Sequence, residues 1–137
     1  MPFIQNVSLE DIKKGTHKDP GANSMLIQIV DPGTNFPQSK KNFRKVRKYK
    51  FLDMEVSDNN DKSISDEQAQ SIAEDLKYAL DHDMNVIVHC HMGACRSGAV
   101  VEVGIMIGFS ETGRWRLPNQ MVKHKLMKCL NLLPYGS

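Results

Sequence analysis

Residues 86 to 98, VIVHCHMGACRSG, constrain the fold more than any other stretch. The run Val86 to His89 is short, continuous and apolar, the pattern of a strand covered on both faces. It passes through a glycine-containing loop straight into a second apolar run, with Val100, Val101, Val103, Ile105 and Met106 between about Ser97 and Gly108. That run reads as a helix buried nearly all round. A covered strand feeding a covered helix is half of a βαβ unit. It predicts an α/β fold, a central mostly parallel β-sheet flanked by helices.

The rest of the chain supplies the elements such a sheet needs. FIQNV at 3 to 7 fits an edge strand. SLEDIKKG at 8 to 15 fits a short helix, with Ser8 as N-cap and Gly15 at the C′ position. SMLIQIV at 24 to 30 is a strand candidate stopped by the turn formers of DPGTN, and 31 to 42 reads as a loop. KYKFLDMEV at 48 to 56 predicts another strand, followed by a polar loop at 57 to 65. Ser65 and Gln68 have capping-box spacing, and Ala69, Ile72, Ala73, Leu76, Ala79 and Leu80 follow with helical periodicity. Residues 108 to 119 read as a loop. A last helix, starting near Pro118, presents Val122, Leu126, Cys129, Leu130 and Leu133.

The bulk numbers exclude several classes. A length of 137 residues suits one domain with one core. Three cysteines without framework spacing argue against a secreted disulfide scaffold and for a reducing cytoplasm. The opening MPFIQNVSLEDIKKG lacks the basic and apolar regions of a signal peptide, and no apolar run is long enough for a membrane span. The net charge of +2 does not by itself imply nucleic acid.

The chemistry lies in the loop. A loop running from a strand into a helix N-terminus gathers backbone amides and a positive partial charge, which together make an anion site. Here the cradle is His91, Met92, Gly93, Ala94 and Cys95. Gly93 permits a left-handed backbone or close approach to a ligand. Arg96 can grip two phosphate oxygens with its planar fork. Cys90 sits at the base, where the field that holds a phosphate also favours a thiolate. A thiolate beneath a bound phosphate is a nucleophile in line for displacement, so the residues point to phosphoryl transfer through a phosphocysteine.

HCHMGACRSG resembles the H-C-x5-R-S signature of the cysteine-dependent protein tyrosine phosphatase superfamily, and the short chain is most similar to its compact dual-specificity branch. The likeness is specific over residues 86 to 98 and looser from about 47 to 107. The resemblance implies one catalytic domain over residues 1 to 137. It makes Cys90 the nucleophile, Arg96 and the amides of residues 91 to 96 the phosphate clamp, and Ser97 the hydrogen-bond donor to the sulfur. His89 orients the loop. No metal or other cofactor is implied, since Arg96 and the amides supply the positive charge.

The leaving oxygen needs a proton, and the loop carries no acid. In the dual-specificity branch an Asp follows an apolar strand upstream of the Cys. Asp58, 32 residues before Cys90 in DMEVSDNND, fits that place; Asp61 and Asp53 are the rivals. The implied reaction is hydrolysis of phosphate monoesters, phosphotyrosine on proteins first, with phosphoserine or phosphothreonine admitted. An RNA 5′-triphosphate or a phosphoinositide in the same loop is the alternative. A phosphate-binding module without turnover, and an arsenate reductase pairing Cys90 with Cys95, are further ones.

Two features stay open. Cys90 and Cys95 form C-x4-C, which reads either as a reversible disulfide or as a nucleophile beside a packing residue. Residues 40 to 51, KKNFRKVRKYKF, carry seven Lys or Arg. They read as a solvated face with Phe43, Val46 and Tyr49 inward, or as an electropositive approach for an anionic substrate. Without stacking-aromatic motifs the run gives little ground for nucleic acid.

Overall fold

The computed structural model describes residues 1 to 54 and 62 to 133. Among the described residues five strands form one sheet: β1 (Phe3–Val7), β2 (Ser24–Val30), β3 (Lys45–Lys50), β4 (Asn85–His89) and β5 (Ser110–Glu111). Their spatial order is β3-β2-β4-β1-β5, and every pairing is parallel. Among the described residues there are four helices: α1 (Leu9–Lys14), α2 (Asp66–Asp81) and α3 (Arg96–Ile107) between strands, and α4 (Gln120–Cys129) after β5.

Alternation along each strand divides the side chains between two faces. Ile4, Met25, Ile27, Ile29, Val86 and Val88 join α2, α3 and α4 in the large core, and Cys90 continues that face beyond β4. Val7, Leu26 and Ile87 face the other way, over Ile12 of α1. All seven residues of β2 are buried, as a central strand covered on both sides requires. Helix α3 lies so close to β1 that a Cβ on Gly104 would meet Ile4 Cδ1 at 2.7 Å.

The caps form as the sequence implies. Ser8 accepts from the Asp11 amide, and Gly15 closes α1 at φ 72°. Ser65 and Gln68 make a reciprocal capping box on α2. Asn119 caps α4 by accepting from the Val122 amide, so the helix starts near Pro118 as expected.

Three expectations need correction. β1 is an inner strand, because Ser110 and Glu111 pair with its outer edge. A two-residue strand has no periodicity to reveal it, so 108 to 119 read as loop. β3 spans 45 to 50 rather than starting at 48 and running to 56, of which 55 and 56 lie outside the described residues; its lysines and arginines suit an exposed edge, and past Lys50 only the Phe51 amide still bonds β2, at Val30 O. Val46 is 45% exposed rather than inward, because the pleat turns it away from the face that buries Tyr49. Tyr49 donates to Asp75 of α2, and Arg47 Nε lies 2.9 Å from the same carboxylate. Burial, with the nearby carboxylate, pushes the Tyr49 hydroxyl up to about 12, so it stays the proton donor in that bond.

Candidate active site

In open parallel sheets, sites lie at the carboxyl ends of the strands where the strand order reverses. Here β1, β2 and β4 are neighbours, and the loop after β4 packs over the end of β1, with Gly93 against Val7 and Ser8. Its shape follows from one residue. Gly93 has φ +78°, and a Cβ there would sit 2.5 Å from the Val7 carbonyl carbon and the Ser8 amide nitrogen. The loop therefore rests directly on the backbone that joins β1 to α1, which only glycine permits.

Four carbonyls of the loop are tied to neighbouring segments. His91 O accepts from Leu9 N at 3.1 Å, Ala94 O from Leu117 N at 3.0 Å and Cys95 O from Asn119 N at 3.0 Å. Gly93 O accepts from the Asn6 side chain at 2.7 Å. Among the described residues the backbone N–H groups of residues 91 to 94 and of 96 donate to no acceptor. With those oxygens engaged elsewhere, the amide side of the loop is left for an anion.

Cys90 and Arg96 meet at this loop, lining a cleft of about 330 Å³ with Asp31, Leu52, Asp53, Met54, His91, Met92 and Cys95. Cys90 is buried, and the Ser97 hydroxyl lies 3.1 Å from its sulfur, within reach to donate. Arg96 is only 4% exposed. Its Nη1 donates to Asp31 Oδ1 and to the Phe51 carbonyl, both at 2.7 Å. Its buried Nε has no hydrogen-bond partner among the described residues. One corner of the guanidinium is thus fixed while another donor remains free.

His89 is fully buried and donates through Nδ1 to the Cys90 carbonyl at 3.3 Å. Burial lowers its pKa to about 4, and the Arg96 charge adds to the effect. At physiological pH this shift keeps the imidazole neutral, bonded to the loop at the Cys90 carbonyl.

Of the three candidate acids, Asp58 and Asp61 lie outside the described residues. Asp53 is described and lines the cleft; its Oδ1 accepts from Asn119 Nδ2 at 2.6 Å. Three residues that shape the site were not singled out in the sequence. Asp31 read as a turn former, although it directly follows a strand on the edge where sites form. Asn6 is fully buried on β1, a polar residue whose place in an apolar strand was the available signal. Asn119 caps α4 and bonds Met54 O and Asp53, a role that its position just after Pro118 at a helix start could have signalled.

An all-parallel five-stranded sheet with this loop above it is the compact dual-specificity-phosphatase-like fold. The chain is similar to the human tyrosine phosphatase-like serine/threonine/tyrosine-interacting protein, with a TM-score of 0.65 and 19% identity over 96% of this chain and 93% of that one. It is also similar to human DUSP28, with a TM-score of 0.54 and 14% identity over 99% of this chain and 85% of that one. No protein-family model and none of the curated proteins matches the chain.

Proposed function

We propose that the protein hydrolyses phosphate monoesters through a phosphocysteine. The observation that carries this reading is a loop in which, among the described residues, the amides of 91 to 94 and of 96 donate to no acceptor and the buried Arg96 Nε has no partner, with Cys90 and Arg96 lining one cleft. The Cys90 thiolate attacks phosphorus, the phosphorus–oxygen bond to the leaving group breaks, and a carboxylic acid protonates the departing oxygen. Water then attacks the phosphocysteine, the carboxylate takes its proton, and the thiolate leaves with Ser97 O–H donating to the sulfur. Arg96 and the amides hold the equatorial oxygens in both steps.

Asp58 is the proposed acid, on its spacing from Cys90 and on the family resemblance. Asp53 is the second reading, because it already lines the cleft. The substrate is phosphotyrosine on a protein, with phosphoserine or phosphothreonine admitted by a shallow cleft. A thiolate nucleophile suits a reducing compartment, and we place the protein in the cytoplasm. Among the described residues no helix is long and apolar enough to cross a membrane.

Turnover of an aryl phosphate tests the reading. Cys90→Ser is expected to abolish turnover and retain phosphate or vanadate binding; full activity in that variant ends the proposal. Asp58→Asn is expected to slow esters with poor leaving groups most. If Asp53→Asn does so instead, the acid is Asp53.

A further inference from the structure

The net charge of +2 conceals a marked asymmetry. Seven Lys or Arg and no acid lie between residues 40 and 51, while the rest of the chain holds 11 Lys or Arg against 16 Asp or Glu. Half of that basic segment is β3, which forms one edge of the sheet with five of its six residues exposed. β2 occupies its inner side, and no strand pairs with its outer side among the described residues.

The pleat distributes the cations over both faces of this edge. Lys45 Nζ lies 4.0 Å from the Tyr78 ring on the α2 face. Lys48 and Lys50 lie 5.5 and 5.2 Å from the Phe36 ring on the other. Of the seven cations, only Arg47 is ion-paired among the described residues, with Asp75. The strand also leads into the cleft. Phe51, directly after Lys50, gives its carbonyl to Arg96, and Leu52, Asp53 and Met54 line the cleft wall.

We propose that the phosphate monoester is carried on an acidic polypeptide segment that docks in extended form along the outer edge of β3. The inference rests on the hydrolytic reading above and names its substrate class. An open strand edge offers main-chain hydrogen bonds to an added strand, and alternate side chains set specificity. Lysines on an edge ordinarily repel other strands. The same lysines admit a strand bearing carboxylates, so they select as well as exclude. Six residues of strand extend roughly 20 Å, which sets the docking determinants within about six residues of the phosphorylated side chain.

Single-stranded RNA is the competing polyanion, and it is held by aromatic rings on which bases stack. Here Phe36 lies beneath Lys48 and Lys50, Phe43 packs beside Ile12 and Leu26, and Tyr49 is buried. The strip offers charge and a strand edge without a stacking platform.

The test compares kcat/KM of the full chain on three probes: an aryl phosphate, a phosphotyrosine peptide with flanking Asp and Glu, and an equally long peptide flanked by Ser and Gly. The acidic peptide is expected to exceed the neutral one at least tenfold at low ionic strength, an advantage that shrinks as salt screens it. In the triple variant Lys45→Gln, Lys48→Gln, Lys50→Gln the ratio is expected to fall to within about twofold of one. Each peptide rate is divided by the aryl phosphate rate of the same sample, so any loss of folded protein cancels. A ratio near one in the unaltered chain, or a ratio that survives the triple substitution, overturns docking on β3. A 5′-triphosphorylated RNA hydrolysed with higher kcat/KM than the acidic peptide overturns the polypeptide assignment. If even the aryl phosphate is not hydrolysed, the hydrolytic reading fails and the substrate assignment falls with it.

Discussion

A single nitrogen of Arg96 serves both Asp31 and the Phe51 carbonyl, and that sharing anchors the guanidinium in the cleft that Cys90 also lines. Asp31 is thus a positioning residue. Asp31→Ala removes one charge-assisted bond from a buried cation, an interaction of about 1.5–3 kcal/mol, so kcat/KM for an aryl phosphate should fall roughly 10- to 100-fold. Inhibition by phosphate or vanadate should weaken in parallel, which a loss of folding alone would not produce in the protein that stays folded. A faster variant would mean that Asp31 competes with substrate for Arg96. His89 gives a prediction in pH. Its folded pKa near 4 lies below the ordinary 6.5, so between these values the unfolded chain binds a proton that the folded chain does not. Stability therefore falls as pH drops from about 6.5 towards 4, by roughly 3 kcal/mol at most from this group. Urea midpoints at pH 7 and pH 4.5 should differ less in His89→Asn than in the unaltered protein.

At the scale of elements, the loop after β4 depends on its seat against β1 and α1. Gly93→Ala forces a Cβ into the Val7–Ser8 backbone at a left-handed φ, so stability should drop by roughly 2–4 kcal/mol, read from the shift in Tm. Activity should fall further than the folded fraction does, because the loop cannot move without turning its amides. Most elements were legible because their signals are local. The capping box at Ser65 and the apolar spacing behind it specify α2 within a few residues, and β2 matches its predicted bounds. β3 was misjudged because a basic edge strand lacks the apolar alternation that marks a half-buried one. Its one inward anchor, Tyr49, is held by Asp75 and Ser71 of a helix more than twenty residues away.

At the scale of the molecule, the sheet order makes β2 and β4 central and leaves β3 and β5 at the edges. Amides of β2 and β4 should accordingly exchange slowest in hydrogen-exchange measurements, and those of β5 and the outer side of β3 fastest. A uniform rate over all five strands would contradict this order. The sequence by itself determined the α/β class, the βα unit around Cys90 and the pairing of Cys90 with Arg96, because apolar periodicity, caps and a five-residue gap are properties of neighbours in the chain. Only the tertiary structure decided what surrounds them. Asp31 reaches Arg96 across 65 residues, the Phe51 carbonyl across 45, and Asn6 holds the Gly93 carbonyl across 87. Those contacts exist because β4 inserts between β1 and β2, and the order in which strands assemble is set by packing between distant segments, which no local pattern records.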